Sequence, residues 1–282
     1  MIYLLLTVNG LLMVLTPLAV AGLLRRHRGA GWSLWGMGAA TFVLSQVGHI
    51  PFNNLVARFW QPDLSTQLVP YLIFLGLSAG VFEESARYLT YRFWAKEARS
   101  WGQGLMVGAG HGGIEAILLG VLFFLQLANL VFYRAGLLDR ALQAVGADEI
   151  ALVDAAANAL FSIPWYEALL GGLERIFALC LHLSASLMVL RVVTNGNWGW
   201  FAAAIGWHAF ANTGVVYLAQ TINPLAAEGF LFIIALLSLG FIFAIRTPEP
   251  VPPPLEPLPA PEPVILKPVV FDADKLDESR FG

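Results

Sequence analysis

Residues 79–88 read AGVFEESARY and place Glu83, Glu84 and Arg87 inside a mostly apolar run from Leu68 to about Arg92. A helix needs roughly 20 residues to cross the hydrocarbon core of a bilayer. Two carboxylates and a guanidinium therefore fall at membrane depth, where charges are expensive and usually functional. The surrounding composition agrees. The chain has 282 residues, 58% of them hydrophobic and only 12% charged, whereas soluble domains are about a quarter charged. This points to a multi-pass protein of the cell membrane, in contact with the lipid bilayer. There is no basic tract for nucleic acid, no Walker loop and no glycine-rich dinucleotide fingerprint. The single cysteine, Cys180, excludes an intramolecular disulfide framework and a Cys-based zinc site.

Working outward, seven apolar spans are expected, at about 2–24, 32–57, 68–92, 102–132, 165–190, 198–220 and 228–246. Helices satisfy their own backbone in lipid, and the runs lack the alternation of barrel strands. The fold class is all-α, a polytopic transmembrane helical bundle. The N-terminal span has no positive n-region and no clear cleavage site, so it reads as a retained helix. Eight basic residues (Arg25, Arg26, Arg28, Arg92, Lys96, Arg99, Arg191 and Arg246) fall on one side of the spans, and three (Arg58, Arg134 and Arg140) on the other. The positive-inside rule then puts the N-terminus outside and the C-terminus in the cytoplasm. Residues 1–246 form the membrane domain. Residues 247–282 begin with the proline-rich TPEPVPPPLEPLPAPEPV and end acidic, which suits an extended, disordered cytoplasmic tail. The connection from Arg134 to Pro164 reads as an amphipathic helix on the outer surface. His49, Pro51, Asn53 and Asn54 suggest a kinked, hydrated end of the second span.

The remaining unusual polar residues lie in three later spans: His111 with Glu115, Glu174 with His182, and His208 with Asn212. Counting about 1.5 Å of rise per residue from each cytoplasmic end puts Glu83, Glu84, His111, His182 and His208 in one slab roughly 12–20 Å deep. His111 and Glu115 share a helix face at i, i+4, as do His208 and Asn212. Glu83 and Arg87 have the same spacing, so the arginine is expected to neutralise a carboxylate in its own helix. Glu174 has Arg175 beside it, the spacing of a structural ion pair. Glycines crowd the fourth span (Gly102, Gly104, Gly108, Gly110, Gly112 and Gly113) and are expected to bring His111 against a neighbouring helix. Gly171, Gly172 and Gly206 are expected to act similarly. Imidazoles and a carboxylate are ordinary zinc ligands. A glutamate in low dielectric suits general-base work, and an asparagine can donate to an oxyanion. The inventory is that of metal-assisted amide hydrolysis without the His-Glu-x-x-His signature.

FEESARYLTYRF (82–93), GHGGIEAILLG (110–120), LERIFALCLHLSAS (173–186) and WHAFANTG (207–214) together resemble the YhfC family of membrane peptidases. That family is similar to PrsW-type and CAAX-prenyl-type intramembrane proteases, and more distantly to a non-catalytic subunit of the gamma-secretase complex. The resemblance implies that Glu83 or Glu84 activates a water with Arg87 in support, and that His182, His208 and Asn212 complete the site. Two departures stand out. The arginine is one residue closer to the glutamates than in the CAAX pattern, and His111-Gly-Gly-Ile-Glu115 has no CAAX counterpart. The expected function is intramembrane endopeptidase. Glu83, Glu84, Arg87 and Asn212 are the catalytic group, and His111, Glu115, His182 and His208 the metal ligands, with zinc first. The substrate would be a membrane protein segment or a lipidated peptide. A proton-coupled transporter and a non-catalytic membrane scaffold are the competing readings, since buried Glu, His and Arg also build proton relays.

Overall fold

The computed structural model describes residues 1–138 and 146–248, and the described chain is all helix and connection. Helix α1 (Ile2–Arg28) ends at Gly29, which takes the left-handed conformation (φ 66°) and returns its N–H to the Arg25 carbonyl. Such a cap favours a residue without Cβ. α2 (Trp32–Phe59) stays helical through Pro51, so the kink expected there does not interrupt it. The backbone leaves helical angles instead at Gln67 (φ −119°, ψ 17°), three residues before Pro70, inside α3 (Leu64–Leu89). A proline ring clashes with the preceding turn and removes a donor there. Asp63 caps α3, accepting from the Ser65 N–H at 3.0 Å. Hydrogen bonds from the Ser65 side chain and backbone hold the Asp63 carboxyl below its ordinary range. The cap therefore weakens only as the pH falls through that lowered value.

α3 runs into a π-turn, Thr90–Trp94, closed by the Ala95 N–H on the Thr90 carbonyl at 2.7 Å. α4 (Trp101–Arg134) starts with a reciprocal capping box between Ser100 and Gln103. α5 (Ala147–Ser162) is the short helix of the longest connection; it buries only Ala157 and packs on α4. The amphipathic helix expected between 134 and 164 is thus present in part, and 139–145 lie outside the described residues. A 3₁₀ turn, Glu167–Leu169, leads into α6 (Leu170–Asn195), followed by α7 (Gly199–Thr221) and α8 (Pro224–Ala244). α6 has no side-chain cap of its own. Asn9, from α1, accepts the Gly172 N–H at 2.6 Å and satisfies one of its orphan donors. The reading of 247–282 as a tail falls, from residue 249 onward, outside the described residues.

Among the described residues, five stretches are long and apolar enough to cross a membrane: Ile2–Arg28, Leu64–Trp94, Trp101–Arg134, Glu167–Asn195 and Pro224–Ala244. α2 and α7, the other two of the seven expected spans, are equally long helices of lower apolarity, packed in the same bundle. The chain is a membrane protein with several apolar helices. α6 is its central strut: 72% of its most apolar stretch is buried, against 22–33% in the other four. The rest present leucines and phenylalanines outward, such as Leu118, Leu122 and Leu125 of α4 and Leu236, Leu237 and Phe243 of α8. That outward face suits lipid. Arg28 and Arg246 lie over the Trp101 ring, 5.1 and 5.7 Å from its centroid, which gathers the ends of α1 and α8 and the start of α4.

α4 is wedged between α2 and α6 by glycines on two faces. A Cβ at Gly110 would stand 2.0 Å from the Trp35 carbonyl oxygen, and one at Gly112 within 2.9 Å of the His182 ring. The glycines thus bring the His111 turn against both neighbours. Gly172 approaches Asn9 and Leu12 rather than the polar layer, and Gly206 has nothing within 4 Å, so it makes no close contact. Gly110→Ala forces a methyl group against the Trp35 backbone and is expected to cost at least the roughly 1–3 kcal/mol of an overpacked core. Thermal unfolding in detergent would read it, with Gly206→Ala, which meets open space, as the neutral control.

Candidate functional site

The polar residues of α3, α4, α6 and α7 meet in one place. Glu84 and Arg87 are fully buried and form an ion pair one turn apart in α3. The expectation that Arg87 faces Glu83 is corrected by this geometry: the i+3 partner wins over the i+4 partner. Glu84 also holds His208, its Oε1 accepting at 2.8 Å from Nδ1. That contact turns His208 Nε2 toward Glu83 Oε2, 3.7 Å away. Carboxylates commonly fix the tautomer and orientation of a working imidazole in this way.

Glu83 has different company. Its Oε2 lies 3.0 Å from His111 Nε2 and its Oε1 accepts from Gln46 Nε2 at 3.3 Å. Among the described residues no guanidinium pairs with Glu83. A carboxylate offers about four acceptor positions, so Gln46 and His111 leave two unused. His111 is fully buried, with its ring edge-on to Phe42, and its Nδ1 has no hydrogen-bond partner among the described residues.

The His182 ring stands between those of His111 and His208, with centroids 5.3 and 5.4 Å away. Its Nε2 is 2.8 Å from Glu115 Oε2, and its Nδ1 is 3.4 Å from Arg87 Nη2. Arg175 then joins two carboxylates, donating to Glu115 Oε1 at 2.8 Å and pairing with Glu174. The pair expected between Arg175 and Glu174 is therefore one arm of a bridge that also anchors Glu115. Below the site the π-turn presents Tyr91, whose hydroxyl meets Ser186 Oγ at 2.6 Å and the Gly104 carbonyl at 3.2 Å. π-turns recur beside functional sites.

A cavity of about 270 Å³ opens on this cluster. Glu83, Glu115, Glu174, Arg175, His182, His208 and Asn212 supply its polar wall, and Leu72, Leu75 and Leu231 face them. Glu84, Arg87 and His111 stand behind that wall. Asn212 is one turn from His208 and borders the same space. Of the four residues expected to hold a metal, His182 and His208 lie with Glu83 so that one donor atom from each falls within 4.8 Å of the others. His111 turns to Glu83, and Glu115 to His182 and Arg175.

Two observations bear on a metal. The donor set of one carboxylate and two imidazoles is the kind that divalent zinc takes. Glu83 and Glu84, both buried, have one guanidinium between them, that of Arg87, which leaves one buried negative charge unbalanced while the imidazoles are neutral. A buried charge left so calls for a cation or a proton. The residues present therefore fit a metal ion.

Sequence reasoning missed Gln46. Its signal was a polar residue three positions before His49, on the same face of α2.

The family model described as "YhfC intramembrane metalloprotease" matches residues 12–231. The uncharacterized membrane protein YhfC of Bacillus subtilis (strain 168) is 32% identical over 243 residues, covering 84% of this chain and 93% of that protein. No solved structure matches. The matched residues take in all four polar helices, and the chain belongs to the YhfC intramembrane metalloprotease family.

Proposed function

We propose that the chain is an intramembrane endopeptidase of the bacterial cell membrane, with its N-terminus outside, that hydrolyses a peptide bond in a membrane protein segment or a lipidated peptide. The supporting observation is Glu83: it borders the cavity beside His182 and His208, and its hydrogen-bond partners are a neutral amide and an imidazole. Glu84 is occupied by Arg87 and His208 Nδ1, so it orients and does not take part in proton transfer.

In this mechanism a peptide carbonyl enters the cavity along the Leu72 and Leu231 wall. Glu83 removes a proton from a water at the cavity end, and the oxygen adds to the carbonyl carbon. Asn212 donates an N–H to the developing oxyanion. Glu83 then returns its proton to the leaving nitrogen. Glu83, His182 and His208 would hold the metal that the family description implies, with zinc the first expectation. When bound there it would polarise the carbonyl and acidify the water. The two free acceptor positions on Glu83 suffice for holding a cation and receiving a proton.

Elemental mass spectrometry of the detergent-purified chain tests this. About one zinc per chain is expected in the wild type, falling to background in the His182→Ala/His208→Ala double variant. Equal metal in both, or none in either after loading with zinc, would remove the metal from the proposal. Cleavage assays on Glu83→Gln would then decide the rest.

A further inference from the structure

The row of polar side chains on α2 ends on Glu83. Gln46 Nε2 lies 3.3 Å from Glu83 Oε1, Gln46 Oε1 lies 3.2 Å from His49 Nδ1, and His49 Nε2 meets Asn53 Nδ2 at 2.9 Å and Ser78 Oγ at 3.1 Å. The directions of these bonds are determined from one end. An ionised carboxylate only accepts, so Gln46 must present its NH₂ group to Glu83. Its carbonyl oxygen then faces His49, and Nδ1 must carry the proton. That leaves Nε2 as an acceptor, and the Asn53 amide supplies a donor to it. The imidazole is held flat against Phe82, with ring centroids 5.4 Å apart and planes inclined by 29°. Phe82 is the residue before Glu83, and α2 approaches it closely: a Cβ on Gly48 would stand 3.0 Å from the Phe82 ring.

We propose that Gln46 and His49 are positioning residues for Glu83: His49, as its Nδ1–H tautomer, fixes the amide of Gln46, which fixes the carboxylate plane of Glu83. The inference rests on Glu83 being the reactive carboxylate of the proposed hydrolase. The physical reason is the number of free torsions. A glutamate has three, and His111 restrains only one of its oxygens. A second donor, arriving from a different helix on the other oxygen, removes the remaining freedom and aims the unused acceptor positions. α4 supplies one restraint and α2 the other, so the carboxylate is set by the packing of two helices on α3. Groups that orient a metal ligand or a base typically change affinity or activity about 10–100-fold when removed.

A role confined to holding α2 on α3 predicts something different, and substitutions at His49 separate the two. Asparagine places an N–H where Nδ1–H stands; phenylalanine keeps the ring against Phe82 and loses the donor. The experiment is infrared spectroscopy of the full chain in lipid nanodiscs, with the Glu83 carboxylate band identified by subtracting Glu83→Gln. Gln46→Met and His49→Phe are expected to shift that band, and His49→Asn to return it to the wild-type position. Zinc titration of the same samples is expected to show about 10-fold weaker binding in Gln46→Met. An unshifted band in Gln46→Met overturns the proposal, and a band shifted equally by His49→Asn and His49→Phe removes His49 from it. The band is recorded on metal-free chain, before zinc is added, and does not depend on turnover. A wild-type chain that binds no zinc and cleaves nothing would count against the hydrolase, while the band would still decide what Gln46 does.

Discussion

Replacing Glu83 by glutamine is expected to lower peptide-bond cleavage by about 10²–10⁴-fold, the usual contribution of a general base, with the protein still folded. Glutamine keeps the size of the side chain and can still accept from Gln46 or His111 through its carbonyl oxygen. It cannot take a proton from water. New peptide termini, counted by mass spectrometry in membranes carrying wild-type or variant chain, provide the measurement whichever membrane protein is cut. Termini that persist unchanged in Glu83→Gln would assign the cleavage to another group. Glu84→Gln serves as the comparison: it too reduces cleavage, by freeing His208 Nδ1, but its main effect is on stability.

That second effect is the largest expected on folding. Glu84 and Arg87 pair with no exposure to the surroundings, and the Arg87 Nε has no hydrogen-bond partner among the described residues. Removing one member of a buried ion pair leaves an uncompensated charge and costs about 3–5 kcal/mol. Glu84→Gln and Arg87→Leu should each lose folded, monodisperse protein at temperatures the wild type withstands. The double variant should recover part of the loss, because it leaves no lone charge. Thermal unfolding in detergent gives all four corners of the cycle. Single variants as stable as the wild type would mean that the pair is not held as described. Glu83→Gln, which removes a charge with no guanidinium of its own, should stay near wild-type stability and so separates the two glutamates.

The two adjacent glutamates show where reading the chain reached its limit. Their presence at membrane depth was plain from the apolar run around them. Which one pairs with Arg87 was not, since residues three and four apart on a helix are both within reach. The choice depends on how α3 is rotated against α7, where Gly80 lies close to the Ile205 carbonyl and brings His208 up to Glu84. Gln46 illustrates a different limit. A single glutamine in an apolar helix carries no partner information, and its partner is 37 positions away in another helix. Arg175 looked complete beside Glu174, and only the approach of α4 to α6 added Glu115.

What the chain alone determined was the helical architecture, the layer of Glu, His, Arg and Asn at a common depth, and the family it resembles. These depend on local composition and on rise per residue, which do not change with tertiary context. The tertiary structure decided the pairings: Glu84 with Arg87 and His208, Glu83 with Gln46 and His111, and Glu115 with His182 and Arg175. Each of these depends on the rotation of one helix about its axis relative to another. That rotation is set by the close approach of glycine faces and the fit of buried side chains, contacts between residues far apart in the chain.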